Sequence, residues 1–339
     1  MGPYVSCWAA WATDPEIRFA GSSGGVLTAL SQWLVATGRA SAVRSAGSRA
    51  TSPSRTTAVT IGSRADAIAA AGSRYAPASV LASAGDLLGA RGGALVGRPC
   101  EVDAARRLGS ERATDEGPLL LSFFCAGVPS QHATDELVSQ LAGNVDDVVR
   151  VTYRGRGWPG SFTVSEASGR VAEMSYADSW GAHLGRRLQS RCSLCPDGTG
   201  GHADVAVGDL WRVDGGGFPA FDDADGVSVA IARTVRGHEL LLAARDAGVV
   251  ELRAVEPDAA ASVQPLQTRR RLSLLPRLVG RRLAGRRVPR LRGYRMWRLA
   301  VQQPRSAAWQ LIGSYRRTRR LKREPAMPPA AQETERARR

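Results

Sequence analysis

The chain has 339 residues, of which 43% are hydrophobic, enough for the core of one large domain or two modest ones. Five cysteines, no apolar leader and no apolar run near 18 residues argue against secretion, a disulfide framework and a transmembrane helix, so we expect the reducing cytoplasm. The net charge of +15 is uneven: residues 265–339 hold 21 Arg and one Lys against three Glu, and the body before them carries −4.

Hydrophobic patterning predicts the first elements in chain order. They are a buried strand at 4–11, a helix within 21–38, a Ser/Arg/Thr-rich loop near 45–57 and a helical stretch around 65–71. Ser22 or Ser23 is the expected N-cap of the first helix, and Gly38 its stop.

In the second half of the body, predicted strands alternate with predicted helices, except for one stretch of consecutive strands that we expect to be antiparallel. We predict strands at 92–97 and 118–125, helices at 101–109 and 131–141, consecutive strands within 148–176, a short strand ending near 209, a strand at 226–234, a helix at 237–247 and a strand at 249–255. The fold class is therefore α/β with α+β elements, built of mixed sheets flanked by helices. The Arg-rich tail is predicted to be partly helical and disordered at its Pro/Ala/Glu/Arg end.

Four cysteines form the main chemical pattern. Cys192 and Cys195 make a C-x-x-C loop, whereas Cys100 and Cys125 each follow a predicted strand, where open α/β sheets gather ligands. Four thiolates suit a 4Fe-4S cluster or a structural zinc, and one close pair with two distant single cysteines favours the cluster. The alternative is four unrelated core cysteines. Cys7, inside an apolar strand, is assigned to packing.

The stretch from Ser22 to Gly25, S-S-G-G, opens a predicted helix. Its free backbone N–H groups and lack of large side chains suit a phosphate, and Arg18 could add a bidentate contact; an ordinary capped helix start is the alternative. The later segment 155–160 matches G-x-G-x-x-G, but a strand pattern follows and Pro159 sits where a helix should begin. We therefore reject a Rossmann fingerprint there.

Several longer motifs follow one another in unbroken order between residues 4 and 256. They are D-x-E-I-R at 14–18, S-S-G-G-V-x-T-A-L at 22–30, G-S-x-Y-x-P at 72–77, G-x-P-C-x-x-x-A-x-R at 97–106, F-C-x-G-V-P-S at 124–130, C-x-x-C with A-D-x-x-x-G-D at 192–209, and G-x-S-x-x-x-x-R-T at 226–234. This order resembles the beta subunits of coenzyme F420 hydrogenases and dehydrogenases. The resemblance implies an N-terminal family domain at 4–82, a C-terminal family domain with the cysteine cluster at 90–256, and a separate tail at 265–339.

The resemblance also implies cofactors. It implies FAD and one 4Fe-4S cluster, with Cys100, Cys125, Cys192 and Cys195 as the cluster ligands. The implied flavin contacts are Arg18, Ser22, Ser23, Gly24, Gly25, Ser73, Tyr75, Pro77, Gly97, Arg98 and Pro99. No side-chain acid or base is demanded, so no catalytic residue is assigned.

Three functions stay open from the sequence. The first is an FAD and iron–sulfur oxidoreductase that passes electrons between coenzyme F420, or a similar carrier, and a partner. Many bacterial relatives begin with a ferredoxin-like segment that is absent here, so we expect a separate electron-transfer protein. The second is a related reductase in cell-surface polysaccharide or lipid metabolism. The third is a zinc-stabilised, non-enzymatic module with a basic interaction tail.

The basic tail places aromatic and aliphatic residues such as Trp297 and Trp309 beside arginines. This pattern suits an anionic membrane surface, which would make the protein peripheral to the inner face of the membrane, or an acidic partner. A solvated basic extension is the alternative. Nucleic acid is not expected, because no recognised binding motif is present.

Overall fold

An eight-stranded mixed sheet and a three-stranded antiparallel sheet form the body of the protein in the computed structural model. The structure describes residues 2–82, 92–110, 117–211, 225–262, 264–291, 294 and 296–321. The large sheet has the order β11-β1-β10-β9-β5-β4-β2-β3, and the small sheet the order β6-β7-β8. The strands are β1 Ser6–Ala12, β2 Ala42–Arg49, β3 Ser52–Ile61, β4 Gly93–Gly97, β5 Leu119–Phe123, β6 Val148–Thr152, β7 Ser161–Glu166, β8 Val171–Ser175, β9 Val205–Asp209, β10 Ser228–Ala232 and β11 Val250–Ala254.

Along the chain, most of the described helices of the body connect strands of the large sheet. They are α1 Pro15–Ala20, α2 Val26–Ala36, α3 Arg64–Ala69, α4 Pro99–Ser110, α5 Gln131–Leu141, α6 Val235–Asp246, α7 Pro257–Ser262, α8 Pro265–Leu283, α9 Met296–Gln302 and α10 Pro304–Leu321. Short helical turns cover Val145–Asp147, Tyr176–Asp178, Ser179–His183, Leu184–Arg186 and Ser190–Leu194. The predicted α/β class with mixed sheets and a partly helical tail is confirmed.

The central strands of the large sheet, β4, β5, β9 and β10, are buried on both faces, which explains why they are short and apolar. Along β5, Leu119 and Leu121 pack into one hydrophobic cluster, whereas the side chain of Leu120, between them, packs into another. Successive side chains of a strand point to opposite faces, so such strands read as continuous apolar runs. Both family-like ranges of the sequence, 4–82 and 90–256, contribute strands to this sheet.

The region predicted as a loop near 45–57 is instead the β2–β3 hairpin, so that prediction is wrong. β3 is the last strand of the large sheet, and its residues are mostly half-buried. Because β3 is a half-buried edge strand, it does not require a continuous apolar face, and residues 52–61 do not have one. The remaining signal was the run of Thr56, Thr57, Val59 and Thr60, since β-branched residues favour strands.

The chain divides into two compact units, Met1–Thr268 and Arg269–Arg339. In the second unit, Gly280 lets α8 and α10 approach closely, because a Cβ there would overlap with the Leu311 carbonyl oxygen. Ser314 donates a hydrogen bond to the Arg277 carbonyl oxygen over 2.9 Å at the same crossing. Within the described residues no helix is long and apolar enough to cross a membrane. The predicted disordered end lies outside the described residues.

Candidate functional site

A cavity of about 280 Å³ lies where β5 and β9 end. β4, β5 and β9 are mutually parallel, so their carboxyl ends share one edge of the sheet, the edge where open α/β sheets bind ligands. Its lining includes Val96, Phe123, Phe124, Val207 and Gly208 from these strands and from the residue that follows β5. The volume is just below the roughly 300–1,000 Å³ of small-molecule sites, which suits a ring system better than a whole dinucleotide.

The beginning of α2 forms part of this cavity. Gly25, at φ 72°, is the N-cap residue, and no side chain caps the helix. Val26, Leu27 and Thr28, the first turn of α2, are among the residues that line the cavity, and the first N–H groups of a helix have no intrahelical acceptor. This end of the cavity therefore offers N–H donors and a positive helix-dipole end to an anionic group.

The prediction that Ser22 or Ser23 caps α2 is wrong. The Ser22 hydroxyl lies 2.7 Å from the Ser73 hydroxyl, and the Ser23 hydroxyl donates to the Val227 carbonyl oxygen over 3.0 Å. Both hydroxyls thus join the loop to segments distant in the chain, and neither is directed to the backbone of α2.

Gly24 is explained by packing against the sheet. A Cβ at this position would lie 2.5 Å from the Ala10 carbonyl oxygen and 3.0 Å from the Ser228 nitrogen. Its own N–H donates to the Ser228 hydroxyl over 3.0 Å. The loop before α2 therefore needs this glycine to lie against β1 and β10.

The G-x-G-x-x-G segment, in which we rejected a Rossmann fingerprint, lies beside the cavity. Its first residue, Gly155, has φ 124°, and a Cβ there would lie 2.8 Å from the Ala20 carbonyl oxygen. The carbonyl of the preceding residue, Arg154, accepts a backbone hydrogen bond from Ser73 over 3.2 Å. Residues 154–160 are thereby joined to the loops that precede α2 and follow α3.

Arg154 is the most deeply buried charged residue of the cavity lining, at 2% exposure. Its Nη1 donates to Asp209 Oδ2 over 2.7 Å, and its Nε to the Pro159 carbonyl oxygen over 2.8 Å. Burial lowers the pKa of Arg154, but the negative charge of Asp209 raises it and prevails, so the guanidinium stays protonated.

Three aromatic rings surround this guanidinium. Its Cζ lies 4.9 Å from the ring centroid of Trp158, 4.7 Å from that of Tyr176 and 4.8 Å from that of Trp211. Trp158 and Trp211 also pack on each other, with their centroids 4.4 Å apart. Cation–π contacts at this distance favour the charge and restrict the guanidinium plane.

The predicted flavin contacts divide into two groups. Those that line the cavity are Ser22, Ser23, Gly25, Ser73, Tyr75 and Arg98. Those outside its lining are Arg18, Gly24, Pro77, Gly97 and Pro99. Arg18 instead donates to the Gly226 carbonyl oxygen over 3.0 Å, and Gly97 and Pro99 end β4 and begin α4.

The four predicted cluster ligands lie on three adjoining segments. The Cys125 N–H donates to the Gly198 carbonyl oxygen over 2.9 Å, and the Val128 N–H to Cys192 Sγ over 3.4 Å. The loop after β5 therefore runs along the C-x-x-C loop. Cys100 is exposed to solvent. The protein atoms packed around it and the negative charges of Glu101 and Cys195 raise the pKa of its thiol, so Cys100 lies near the C-x-x-C loop.

The thiols do not converge on one point as the side chains stand. Cys195 Sγ donates to the Asp197 carbonyl oxygen over 2.9 Å, within its own loop. Over the described ranges, no group of three or more His, Cys, Asp or Glu side chains is arranged to hold a metal ion. Four thiols on three adjoining segments suit a cluster chemically, and the assignment of these ligands stays a prediction.

The burial of Arg154 among Trp158, Tyr176 and Trp211 was not predicted from the sequence. Arg154 directly precedes the G-x-G-x-x-G segment, and its partners Tyr176, Asp209 and Trp211 come from 22 to 57 positions later in the chain. The local signal was the tryptophan of the W-P-G turn at 158–160, since a large aromatic in a turn must pack on something. Nothing local signalled that an arginine would be buried.

Comparisons with known proteins identify the class. Two family models match, both for the coenzyme F420 hydrogenase/dehydrogenase beta subunit: the model of its N-terminal part covers residues 7–84, and the model of its C terminus covers residues 91–258. The protein is thus of an oxidoreductase class. The chain belongs to the coenzyme F420 hydrogenase/dehydrogenase beta subunit family.

One curated relative and one solved structure agree with this family. A coenzyme F420 hydrogenase subunit beta from Methanococcus voltae is 29% identical over 167 residues, which are 48% of this chain and 52% of the relative, so the match spans about half the length of that protein. A chain of the F420-reducing [NiFe] hydrogenase complex from Methanosarcina barkeri matches with a TM-score of 0.57 and 23% identity, over 79% of this chain and 92% of that chain. This likeness shows a common fold.

Proposed function

We propose that the protein is an FAD- and 4Fe-4S-dependent oxidoreductase of the cytoplasm that passes electrons between coenzyme F420, or a similar carrier, and a separate redox protein. The observation that carries the proposal is that Cys125 lines the same cavity as Arg154 and the uncapped start of α2. A flavin site and a cluster site that share one wall would bring the two redox groups close together, as electron transfer requires.

The residues fit the two groups in different ways. Cys100, Cys125, Cys192 and Cys195 would hold the cluster through their thiolates. The ring system of the flavin would lie in the cavity whose lining includes Ser22, Ser23, Gly25, Ser73, Tyr75 and Arg98. When bound, a flavin supplies the conversion between electron pairs, as F420 carries them, and the single electrons that a cluster accepts.

The chain itself supplies donors, positive charge and exclusion of water. The N–H groups at the start of α2 favour an anionic group, and Arg154 provides a fixed positive charge. Trp158 and Trp211, both buried, close off the region around Arg154 with apolar surface. Such a region strengthens the electrostatic effect of the arginine on a bound ring.

Anaerobic purification tests the proposal. We expect bound flavin and about four iron atoms per chain, and bleaching of the flavin absorption by reduced F420 in stopped flow. Cys192→Ala should lose nearly all iron and keep part of the flavin. Cys7→Ala is the matched control, because Cys7 packs in a separate apolar cluster and should leave the iron content unchanged.

Each alternative function has its own outcome in this experiment. A colourless protein that contains zinc would reject the redox proposal in favour of the zinc-stabilised module. A protein with flavin and iron that reduced F420 does not bleach would favour the related reductase of polysaccharide or lipid metabolism. Equal iron in the two cysteine variants would reject the ligand assignment.

We also propose that the C-terminal unit binds an anionic membrane surface. Residues 269–321 contain 17 Arg and neither Asp nor Glu. Trp297 is 63% exposed on α9 and Trp309 is 74% exposed on α10. Exposed tryptophans among arginines match the interface of an anionic bilayer, where the ring is buried at headgroup depth and the charges meet the lipid phosphates.

Cosedimentation with vesicles tests this second proposal. The full chain should bind vesicles that contain phosphatidylglycerol and ignore pure phosphatidylcholine, and added salt should weaken the binding. Trp309→Ala should reduce the affinity by about tenfold, because it removes a large apolar contact. Val149→Ala, which removes an exposed apolar residue of the body, should change nothing. Equal binding by the two variants would reject the proposal.

A further inference from the structure

Arg154 has more hydrogen-bonding capacity than the protein uses. A guanidinium carries five N–H donors on three nitrogens, and here Nη1 is satisfied by Asp209 and Nε by Pro159. The third nitrogen, Nη2, is buried and has no hydrogen-bond partner among the described residues. An unsatisfied buried donor on a charged group is unfavourable, so a native structure that keeps one calls for an explanation.

The surroundings of Arg154 are those of a binding residue. A buried arginine that only stabilises the fold is usually enclosed by acceptors on all sides, because a buried charge needs them. Here one carboxylate and one carbonyl satisfy two nitrogens, while Trp158, Tyr176 and Trp211 provide ring faces that accept no ordinary hydrogen bond. The side chain is therefore held firmly and keeps one unused donor, and Arg154 is one of the residues that line the cavity.

We propose that Arg154 binds a negatively charged oxygen of the flavin, with Nη2–H as the donor. This inference rests on the proposed function, since it names the recognition group of that same cavity. Two kinds of oxygen of the FAD cofactor qualify: the ring carbonyl oxygen next to the nitrogen that becomes anionic on reduction, which shares that charge, and the phosphate oxygens. Two electrons and one proton added to the neutral ring leave a monoanion, so a fixed positive charge beside the ring favours the reduced form.

Flavin binding to Arg154→Gln distinguishes these sources. The apoprotein is titrated with FAD and with riboflavin, which has the same ring and no phosphate, and tryptophan quenching reports the affinity. If Arg154 binds the ring, the variant binds both ligands about 10- to 100-fold more weakly. If it binds the phosphate, FAD affinity falls by this factor and riboflavin affinity is unchanged.

A redox titration of bound flavin sharpens the result. For contact with the ring, Arg154→Gln should weaken the reduced form more than the oxidised form, and each tenfold difference lowers the two-electron midpoint potential by about 30 mV. Arg154→Lys, which keeps the charge and loses the planar fork, should recover part of the potential. For contact with the phosphate, the potential stays at the wild-type value in both variants.

The control is Arg233→Gln, which alters another buried arginine, one that lies outside the cavity lining. It should lower thermal stability and leave the affinity of the folded protein for both flavins unchanged. Wild-type affinity of folded Arg154→Gln and Arg154→Lys for FAD and riboflavin, oxidised and reduced, would overturn the inference while flavin binding itself stood. Failure of the wild-type chain to bind any flavin would instead reject the proposed function.

Discussion

Arginine has opposite roles in the two units of this protein. In the body, arginines such as Arg98, Arg154 and Arg233 are buried and hydrogen-bonded to carboxylates or to backbone carbonyls. In the C-terminal unit, which has no acidic residue before position 322, arginines such as Arg316 and Arg320 are exposed at the surface of α10. The overall charge of +15 therefore says little about the body, where these three arginines serve internal structure.

Substitution of matched arginines should give the largest difference between the two units. The Arg98 side chain, 9% exposed, pairs with Glu101 and donates to the Ala78 carbonyl oxygen over 2.6 Å. Arg98→Met leaves the Glu101 carboxylate buried without its partner, so the free energy of unfolding should fall by about 3–5 kcal/mol. Arg316→Met, at an exposed position, should change it by less than about 0.5 kcal/mol.

Denaturant unfolding followed by circular dichroism measures both variants. A loss below about 1 kcal/mol for Arg98→Met would contradict the buried role that we assign to arginines of the body. A large loss for Arg316→Met would show that the C-terminal unit, too, depends on its arginines for folding.

Two glycines test how the C-terminal unit is held together. Gly280→Ala would place a methyl group against the Leu311 carbonyl oxygen where α8 and α10 cross. The free energy of unfolding of the C-terminal unit should therefore fall by about 1–3 kcal/mol. Gly313→Ala, in the interior of α10, would meet only the end of the flexible Arg317 side chain and should stabilise the helix by up to about 1 kcal/mol.

Amide hydrogen exchange resolves this effect by region. Gly280→Ala should increase exchange in α8 and α10 and leave the strands of the large sheet protected. If exchange rose equally throughout the body, the two units would unfold together. They would then differ in the charge and burial of their arginines but not in their unfolding.

The Cys7 thiol gives a smaller effect and tests the exclusion of water from β1. Burial raises the pKa of Cys7 to about 11, so the thiol stays protonated at about pH 8, and the reactive thiolate forms only as the pH approaches that value. Iodoacetamide should modify Cys7 slowly at about pH 8 and about tenfold faster for each added pH unit, while unfolded protein reacts at once. Mass spectrometry of peptides measures the rate of modification. Rapid modification of Cys7 in the folded protein at about pH 8 would show that water and reagent reach β1.

The sequence predicted those elements whose signals are local. α5 begins and ends where predicted, since Ser130 caps it and accepts a hydrogen bond from the Ala133 N–H over 3.3 Å. The small sheet followed from alternating apolar residues in three successive segments. The motif order revealed the family and gave six residues of the cavity lining. The cysteine ligand set and the flavin contacts stay predictions.

What could not be predicted depends on contacts between distant segments. The β2–β3 hairpin lacks an apolar face because it lies at the sheet edge. The first turn of α2 has no serine cap because both serines bond to other loops. The role of Arg154 requires knowledge that Asp209, 55 positions away, is adjacent to it. No local pattern contains that information.

The position of β1 has a consequence for biosynthesis. β1 pairs with β10 and β11 on its two sides, so Cys7 faces Ile231 and Trp8 faces Ala254 across the sheet. A nascent chain on the ribosome must therefore keep its first strand unpaired on both edges until almost the whole body has been synthesised. During that time an apolar segment with open edges is available to neighbouring chains or to chaperones, and products truncated before β10 would expose it permanently.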